Sequence, residues 1–424
     1  MITEAFLHHV WRHRLYQFTR LQTISGQEIK VIHPGYPHQD AGPDFKEAII
    51  QIDHITWAGN VEIHVRSSDW LKHGHQQDAR YRTVVLHVVF EHDIDISMEN
   101  KEAMPTLALK QYIADKTIEA YASLTRAKDT LPCRDQLHRV TSLQFAALLS
   151  GKVMERLSRK LKTILTQVEN CKGDWEEAFF RTLAINFGFK TNASAFELLA
   201  RSLPYKIVSR HANSRYQTYA LIFGQAGMLE EDYTDSYYKS LQYEYQYLKQ
   251  KYGLIPMGVD RWNYLRLHPR NFPCIRLAQF SEILHRYPSL FQMIVQNRDR
   301  HLPEKLLACT PHEYWETHYY FGKCTRARSA AIGKSTVQLL IINTVITILM
   351  AYSRFHGNEN VEEYALQLLE NLDFEENNIT KKYREAGFPD KGALYSQAIL
   401  ELHSHYCQSK RCLSCDIAGI ILKS

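Results

Sequence analysis

The chain lacks a strong excess of charge of either sign. Its 424 residues include 51 Lys and Arg against 46 Asp and Glu, which gives a formal net charge of +5. This balance permits contact with nucleic acid but is much weaker than that of a strongly basic binding domain. Hydrophobic residues make up 45% and charged residues 23% of the chain. These values are typical of folded soluble proteins and argue against wholesale disorder.

Long apolar runs are also missing. The most apolar stretch, residues 337–350, is shorter than a bilayer span and contains Gln338, Asn343 and Thr344. It therefore predicts a buried helix. Residues 1–6 show neither the basic region nor the long apolar region of a signal peptide. We expect a cytoplasmic protein with no membrane partner, whose eight cysteines are reduced or metal-bound. The sequence leaves its oligomeric state open.

A complete phosphate-binding P-loop is absent. Gly333, Lys334 and Ser335 resemble its end, but Arg328 stands where the first glycine is required and no strand precedes it. No fixed-period repeat is strong enough to predict a solenoid. The sequence therefore predicts neither a P-loop nucleotide site nor a repeat architecture.

Strand patterns dominate the first quarter of the chain and helical patterns the rest. A helix is predicted at about 3–17, another within 68–81, and strands at 28–33, 45–52, 55–65, 83–90 and 106–109. From about residue 113, apolar positions recur with the helical period. We predict an α+β chain: a domain over residues 1–115 with a mixed sheet and flanking helices, then a large all-α domain over residues 116–424.

Polar residues recur along the strand at 60–66. Side chains alternate between the faces of a strand, so Asn60, Glu62, His64 and Arg66 share one face. Metal-assisted phosphodiester hydrolysis needs hard oxygen ligands for Mg²⁺ or Mn²⁺ with a basic group beside them. Glu62, together with Asp44 on the preceding segment, supplies such ligands. We predict a nuclease metal site here.

One histidine interrupts the apolar strand at 83–90. A single histidine such as His87 in a buried strand is more often a hydrogen-bonded core residue than a ligand. Its strand is expected to lie near the strand of Glu62. We keep His87 as a secondary catalytic candidate.

The motifs around these residues resemble those of the PD-(D/E)XK nuclease superfamily, which includes restriction enzymes and RecB-type exonucleases. Pro43-Asp44 and Glu62-Ile63-His64 match its signature, except that His64 stands at the lysine position. RecB-type members also carry Gln-x-x-x-Tyr on the next helix, matched by Gln77 and Tyr81. His64 can donate or accept a proton near neutral pH. The departure therefore concerns catalysis and not the fold.

The resemblance implies a Mg²⁺-dependent nuclease acting on DNA or RNA. Asp44 and Glu62 would hold Mg²⁺ or Mn²⁺, His64 would orient water or stabilise phosphate, and Gln77 and Tyr81 would shape the end of the substrate. A catalytically inactive nuclease-fold protein that binds nucleic acid or a protein partner is the alternative. A third interpretation is a metal protein built on four histidines, since His-x-His pairs bind transition metals. These histidines are His64, His73, His75 and His87.

The whole chain also resembles a bacterial family known only as a domain of unknown function. The matching segments are residues 40–45, 59–64, 67–70 and 271–273. No activity comes with this resemblance.

Residues 260–273 combine basic and aromatic side chains, a composition that contacts phosphates and stacks on bases. Arg261, Trp262, Arg266 and Arg270 are the predicted nucleic-acid contacts in this segment, and Arg66 is a further one near the metal site. The alternative is a structured connection whose arginines cap helices and whose aromatics belong to the core.

Three of the eight cysteines crowd near the end of the sequence, at Cys407, Cys412 and Cys415. Three thiolates so close can bind one soft or borderline metal. The fourth ligand must come from elsewhere, with Cys133, Cys274, Cys324, His403 and His405 as candidates. Some RecB-type nucleases hold an iron–sulfur cluster through one distant cysteine and a C-terminal group of three. That resemblance implies an iron–sulfur cluster with Cys133, a zinc site is the second choice, and free structural cysteines are the alternative.

Overall fold

The structure is a computed structural model that describes residues 2–38, 40–97 and 102–423. The chain forms two compact units. Unit 1 comprises residues 1–150, 377–389 and 399–424, and unit 2 comprises residues 151–376 and 390–398. Unit 1 contains a mixed sheet with helices and unit 2 is helical, so the predicted α+β class is confirmed at this level.

Seven strands form one sheet in unit 1. They are β1 Leu21–Gln22, β2 Glu28–His33, β3 Tyr36–Pro37, β4 Phe45–Ile52, β5 Ile55–Arg66, β6 Val84–Glu91 and β7 Thr106–Ala108. The predictions for β2, β4, β5, β6 and β7 are confirmed, while the two-residue strands β1 and β3 were not foreseen.

The sheet order is β1-β2-β4-β5-β6-β7, with β3 paired to β4. Strand β4 pairs antiparallel with both β2 and β5, whereas β5, β6 and β7 are mutually parallel. A parallel strand between two others is buried on both faces. This explains the nearly continuous apolar sequence of β6, and in the register Glu62 on β5 pairs with His87 on β6.

Nineteen α-helices are present among the described residues. They are α1 Glu4–Arg12, α2 Asp69–Lys72, α3 Asp115–Arg126, α4 Ser142–Asn170, α5 Trp175–Phe187, α6 Phe189–Ser202, α7 Tyr205–Arg210, α8 Arg215–Gln225, α9 Ser236–Tyr252, α10 Pro273–Arg286, α11 Leu290–Gln296, α12 Leu302–Leu307, α13 Tyr314–Thr317, α14 Lys334–Leu340, α15 Ile346–His356, α16 Glu359–Asn371, α17 Asn378–Glu385, α18 Ala393–Leu402 and α19 Asp416–Lys423.

The C-terminal segment returns to unit 1, which differs from the predicted division at residue 115. Helix α19 packs on α3, where the Thr117 hydroxyl donates to the Leu422 carbonyl at 3.2 Å. Arg139 donates to the Ile421 carbonyl at 3.4 Å. The local helical pattern does not reveal this return, because it depends on contacts between residues about 300 positions apart.

Helices α14 and α15 join through a π-helical turn at Ile341–Val345. Together they form a 23-residue helix, Lys334–His356, that is long and apolar enough to cross a membrane by length and composition. However, 72% of its most apolar window is buried inside the structure. The prediction of a buried helix at 337–350 is confirmed.

Candidate metal centre

Helix α1 supplies two polar side chains that sequence analysis did not select. Thr3 caps the helix by accepting a hydrogen bond from the Phe6 amide at 3.3 Å. Glu4 and His8 are four residues apart and therefore share a helix face. His8 Nε2 lies 3.2 Å from Asp44 Oδ2. The spacing of these two polar residues beside the apolar stripe of α1 is the sequence signal that could have found them.

Backbone hydrogen bonds tie Asp44 to Glu62. Asp44 precedes β4 and faces β5, because Phe45 pairs with Val61 in the sheet. The Asp44 amide donates to Glu62 Oε2 at 3.1 Å, and the Ile63 amide donates to Asp44 Oδ2 at 2.9 Å. The Asp44 side chain remains 23% exposed, whereas the Glu62 side chain is 6% exposed. The two predicted ligands are thus adjacent, with one at the surface and one inside.

Two histidines lie near the other oxygen of Glu62, and two more lie beside His64. Oε1 lies 3.1 Å from His75 Nε2 and 3.6 Å from His64 Nε2. His64 Nε2 lies 3.1 Å from His73 Nδ1, and His64 Nδ1 lies 2.9 Å from His87 Nε2. His64, His73 and His75 can each offer a ring nitrogen within 4.8 Å of the other two. The structure therefore brings together the four histidines of the third interpretation.

The face of β5 that carries Glu62 and His64 is buried. Sequence analysis placed a catalytic histidine next to substrate, but His64 is 1% exposed. The cause is that helices α1 and α2 both pack against β5. His64 can therefore contact a metal or another side chain, but it cannot take the exposed position expected of the family lysine.

Burial and crowding control the protonation of this group. Burial, with the nearby histidine charges, lowers the pKa of His64 to about 2 and that of His87 to about 3. Burial also raises the pKa of Glu62, although the His75 imidazole acts in the opposite direction. Burial by itself would lower the pKa of His8. The hydrogen bond and the charge of Asp44 outweigh burial, so the pKa of His8 is raised. His64 and His87 are thus neutral near pH 7, the form of imidazole that binds metals.

The predicted helix within 68–81 is present only in part. Helix α2 ends at Lys72, and two 3₁₀ turns follow at His75–Gln77 and Ala79–Tyr81. Gly74 lies between α2 and the first of these turns. Its φ of 75° is a left-handed conformation that ends the helix. The resulting turn is what carries both His73 and His75 to the cluster.

Because the helix is broken, Gln77 and Tyr81 do not share a helix face. The Tyr81 ring stacks on His75 with centroids 3.7 Å apart, and it also packs edge-on against Trp70. Tyr81 is therefore part of the cluster. Gln77 is exposed on the surface.

Arg66 lies at the exposed end of β5. Its backbone amide donates to Asp69 Oδ2 at 3.0 Å, and it pairs with Glu91 in the sheet register. The side chain is exposed at the surface, and its contact with nucleic acid stays a prediction.

An open cavity of about 710 Å³ adjoins the acidic end of the site within unit 1. Asp44 and His8 line it, together with Arg12, His13 and His38. The segment from Leu413 to Lys423 contributes the opposite wall. Asp44 is therefore accessible from solvent through a space large enough for a ligand.

The four predicted metal-binding cysteines lie in the same region of unit 1. Cys133 precedes a 3₁₀ turn, and Cys407, Cys412 and Cys415 follow α18. Burial raises the pKa of the Cys133 thiol, and the charges of the other three thiols raise it further, which shows that they are neighbours. Burial likewise raises the pKa of Cys407 to about 12. None of these four described cysteines forms a disulfide bond.

The segment at 260–273 agrees only in part with the predicted contact. Trp262 is 6% exposed and donates from its ring nitrogen to the Ala226 carbonyl at 2.9 Å. Its indole is a core group and cannot stack on a base. Arg261, Arg266 and Arg270 are exposed, so these three side chains are accessible and their contact with nucleic acid stays a prediction.

Comparisons with known proteins give a family but no activity. The model of a family described as a protein of unknown function, DUF2851, matches residues 4–378. Neither the curated proteins nor the solved structures gave a match. The matched range includes α1, the strands of the sheet and the histidine cluster. The chain belongs to the DUF2851 family.

Proposed function

We propose that unit 1 is a metal-dependent hydrolase of phosphodiesters, a nuclease acting on DNA or RNA. The observation that carries the proposal is the adjacency of Asp44 and Glu62, with Asp44 opening onto a large cavity. Carboxylates beside an open cavity can hold a hydrated divalent ion that activates water for attack on phosphorus.

The arrangement of elements supports a PD-(D/E)XK-like core. A helix, three antiparallel strands and a final strand parallel to the third occur in the order α1, β2, β4, β5 and β6. Asp44 precedes the second of these strands, and Glu62 and His64 lie on the third. This is the order in which the superfamily signature places its acidic residues.

In this proposal Asp44 and Glu62 hold Mg²⁺ or Mn²⁺. His8, which faces Asp44 and the cavity, is placed to contact a water or a phosphate oxygen. Arg66 would contact the nucleic-acid backbone. Buried His64 takes the role of a ligand or of a residue that positions Glu62.

A second metal position is supported by the nitrogen atoms around Glu62. Donor atoms of a tetrahedral ion with bonds of about 2.1 Å lie about 3.4 Å apart. The distances among Glu62, His64, His73 and His75 include 3.1, 3.1 and 3.6 Å. The bond between His64 Nδ1 and His87 is the outer hydrogen bond that usually orients a ligating imidazole. Such a set would take Zn²⁺, Mn²⁺ or Fe²⁺.

We also propose a metal centre at Cys133, Cys407, Cys412 and Cys415, holding an iron–sulfur cluster or Zn²⁺. The support is that Cys133, although distant in sequence, lies near enough to the C-terminal three thiols for their charges to raise its pKa. Four thiolates form a complete ligand set for either group.

Purified protein incubated with single- and double-stranded DNA and RNA under Mg²⁺, Mn²⁺ and Zn²⁺ tests the function. Cleavage lost in Asp44→Asn, but kept in a His54→Ala variant of an exposed turn, would support it. Nucleic-acid binding without cleavage under any metal would instead favour the inactive binding protein. Divalent-metal affinity unchanged in both Asp44→Asn and Glu62→Gln would overturn the metal assignment.

A further inference from the structure

Unit 2 contains a buried cation without an acidic partner. Arg276 on α10 is 7% exposed. Its Nη2 donates to Asn271 Oδ1 at 2.6 Å and to Thr336 Oγ1 at 3.4 Å, and its Nη1 donates to Gln279 Oε1 at 3.0 Å. All three acceptors are neutral. Nε is buried and has no hydrogen-bond partner among the described residues.

A buried charge is costly unless an opposite charge or a full set of hydrogen bonds compensates it. Burial lowers the pKa of Arg276 to about 10, so the side chain remains a cation at neutral pH. The same helix shows compensation elsewhere, since Glu282 pairs with Arg215 and Arg286. Arg276 therefore has both a free donor and an unmatched charge.

Two neighbouring cavities in unit 2 share Arg276, Asn271 and Thr336 in their walls. Their volumes are about 340 Å³ and 130 Å³. The smaller one adds two further arginines, Arg270 and Arg328. Among the described residues, no acidic side chain lines either cavity. This part of unit 2 is thus a concave surface with three positive charges and no negative one.

The larger cavity also has an aromatic wall. The Arg276 guanidinium lies 4.8 Å from the ring centroid of the half-buried Phe189, and the fully buried Phe187 and Phe196 lie behind this wall. Phe189 has φ 49°, a left-handed conformation that is strained for a residue with a side chain. In this conformation the apolar ring of Phe189 lies beside the guanidinium.

We propose that these cavities bind a phosphate monoester with a flat apolar body, of about the size of a mononucleotide. The guanidinium fork of Arg276 matches two phosphate oxygens, and Arg270 and Arg328 add charge from the smaller cavity. The apolar body would lie in the larger cavity against the Phe189 ring. A cavity of this kind, mostly apolar with a few convergent polar groups, is typical of small-molecule sites.

Isothermal titration of the full chain with adenosine 5′-monophosphate, inorganic phosphate and adenosine tests the site. The protein is first freed of divalent metals, so that phosphate cannot bind at the centre proposed in unit 1. We expect the monophosphate to bind more tightly than inorganic phosphate, and adenosine to bind least. Sodium chloride at matched ionic strength controls for simple screening.

Arg276→Met keeps the volume but removes the charge and the donors, and it should weaken phosphate binding more than tenfold. Arg354→Met, an exposed arginine of α15, should leave the affinity unchanged. Arg270→Gln changes an exposed residue and should fold normally while binding a few-fold more weakly. Equal phosphate affinity in wild type, Arg276→Met and Arg270→Gln, or no phosphate binding by wild type at millimolar concentration, would overturn the proposal.

Discussion

Two buried carboxylates, one in each unit, have opposite surroundings. Glu282 in unit 2 is 2% exposed and accepts hydrogen bonds from Arg215 and Arg286, both at 2.8 Å, and from Tyr219 at 2.9 Å. Glu62 in unit 1 is 4% exposed, but its charged neighbours are histidines and another carboxylate.

The difference distinguishes Glu282, a charge with a structural role, from Glu62, which belongs to a site without a permanent cation. Glu282 is compensated by two permanent cations within the fold, which is how proteins usually retain buried charges. Around Glu62, the nearest basic group is His75, whose Nε2 lies 3.1 Å from Glu62 Oε1, and an imidazole is not a permanent cation. A buried carboxylate without a permanent cation beside it needs an explanation. A divalent ion held by Glu62 and the histidines would supply the missing charge.

The largest effect should follow from Glu62→Gln. We expect any metal-dependent cleavage to fall about a thousandfold, or about 4 kcal/mol of transition-state stabilisation. Stability in the absence of metal should change little, because an uncompensated charge is removed. Glu197→Gln, in an exposed pair with Arg201, is the matched control. Full activity in Glu62→Gln, measured with the best substrate and metal, would remove Glu62 from the site.

Acidification should weaken the metal-free protein next most strongly. The pKa values of His64 and His87 are lowered from 6.5 to about 2 and about 3, so the unfolded chain binds more protons below pH 6.5. Their stabilising contribution is present above pH 6.5 and is lost as pH falls towards 3. Between pH 7 and pH 5, each of these two histidines should lower the free energy of unfolding by about 2 kcal/mol. The raised pKa of Glu62 partly offsets this loss.

Urea unfolding of metal-free protein at pH 7 and 5 measures this loss. The comparison with His87→Leu is decisive, because that variant lacks one of the two titrating groups and should show about half the pH dependence. An identical pH dependence in both proteins would mean that the cluster does not titrate as described.

Glu282→Gln should destabilise unit 2 by about 2–3 kcal/mol in urea unfolding. The value is below that of a fully buried pair because Arg215 and Arg286 are 35% and 43% exposed. Cleavage and metal binding should be unchanged. A stability loss as large in Glu62→Gln as in Glu282→Gln would abolish the distinction between the two carboxylates.

The smallest effect concerns the cysteine group. Cys412→Ser should lose one zinc ion or one iron–sulfur cluster per chain and loosen the segment that carries α19, at a cost of about 1–2 kcal/mol. Anaerobic purification with metal analysis measures this, and a brown colour identifies iron. Cys324→Ser, which changes an exposed cysteine outside the group, is the control. Metal-free protein with all four thiols open to alkylation would contradict the metal centre.

The sequence by itself determined five of the seven strands of the sheet, the helical character of the rest and the adjacency of Asp44 and Glu62. These depend on local period and on motifs that neighbouring strands bring together. It also pointed to the cysteines, because their crowding is visible along the chain.

Only the tertiary structure decided which histidines meet and which surfaces are open. His8 and Glu4 reach the site because α1 packs on β5, and His73 and His75 reach it because Gly74 ends α2. Trp262 is buried in the core. Arg276 is also buried, and the acceptors of its hydrogen bonds are neutral side chains. Burial and long-range packing sum contacts from distant parts of the chain, so no local pattern of residues encodes them.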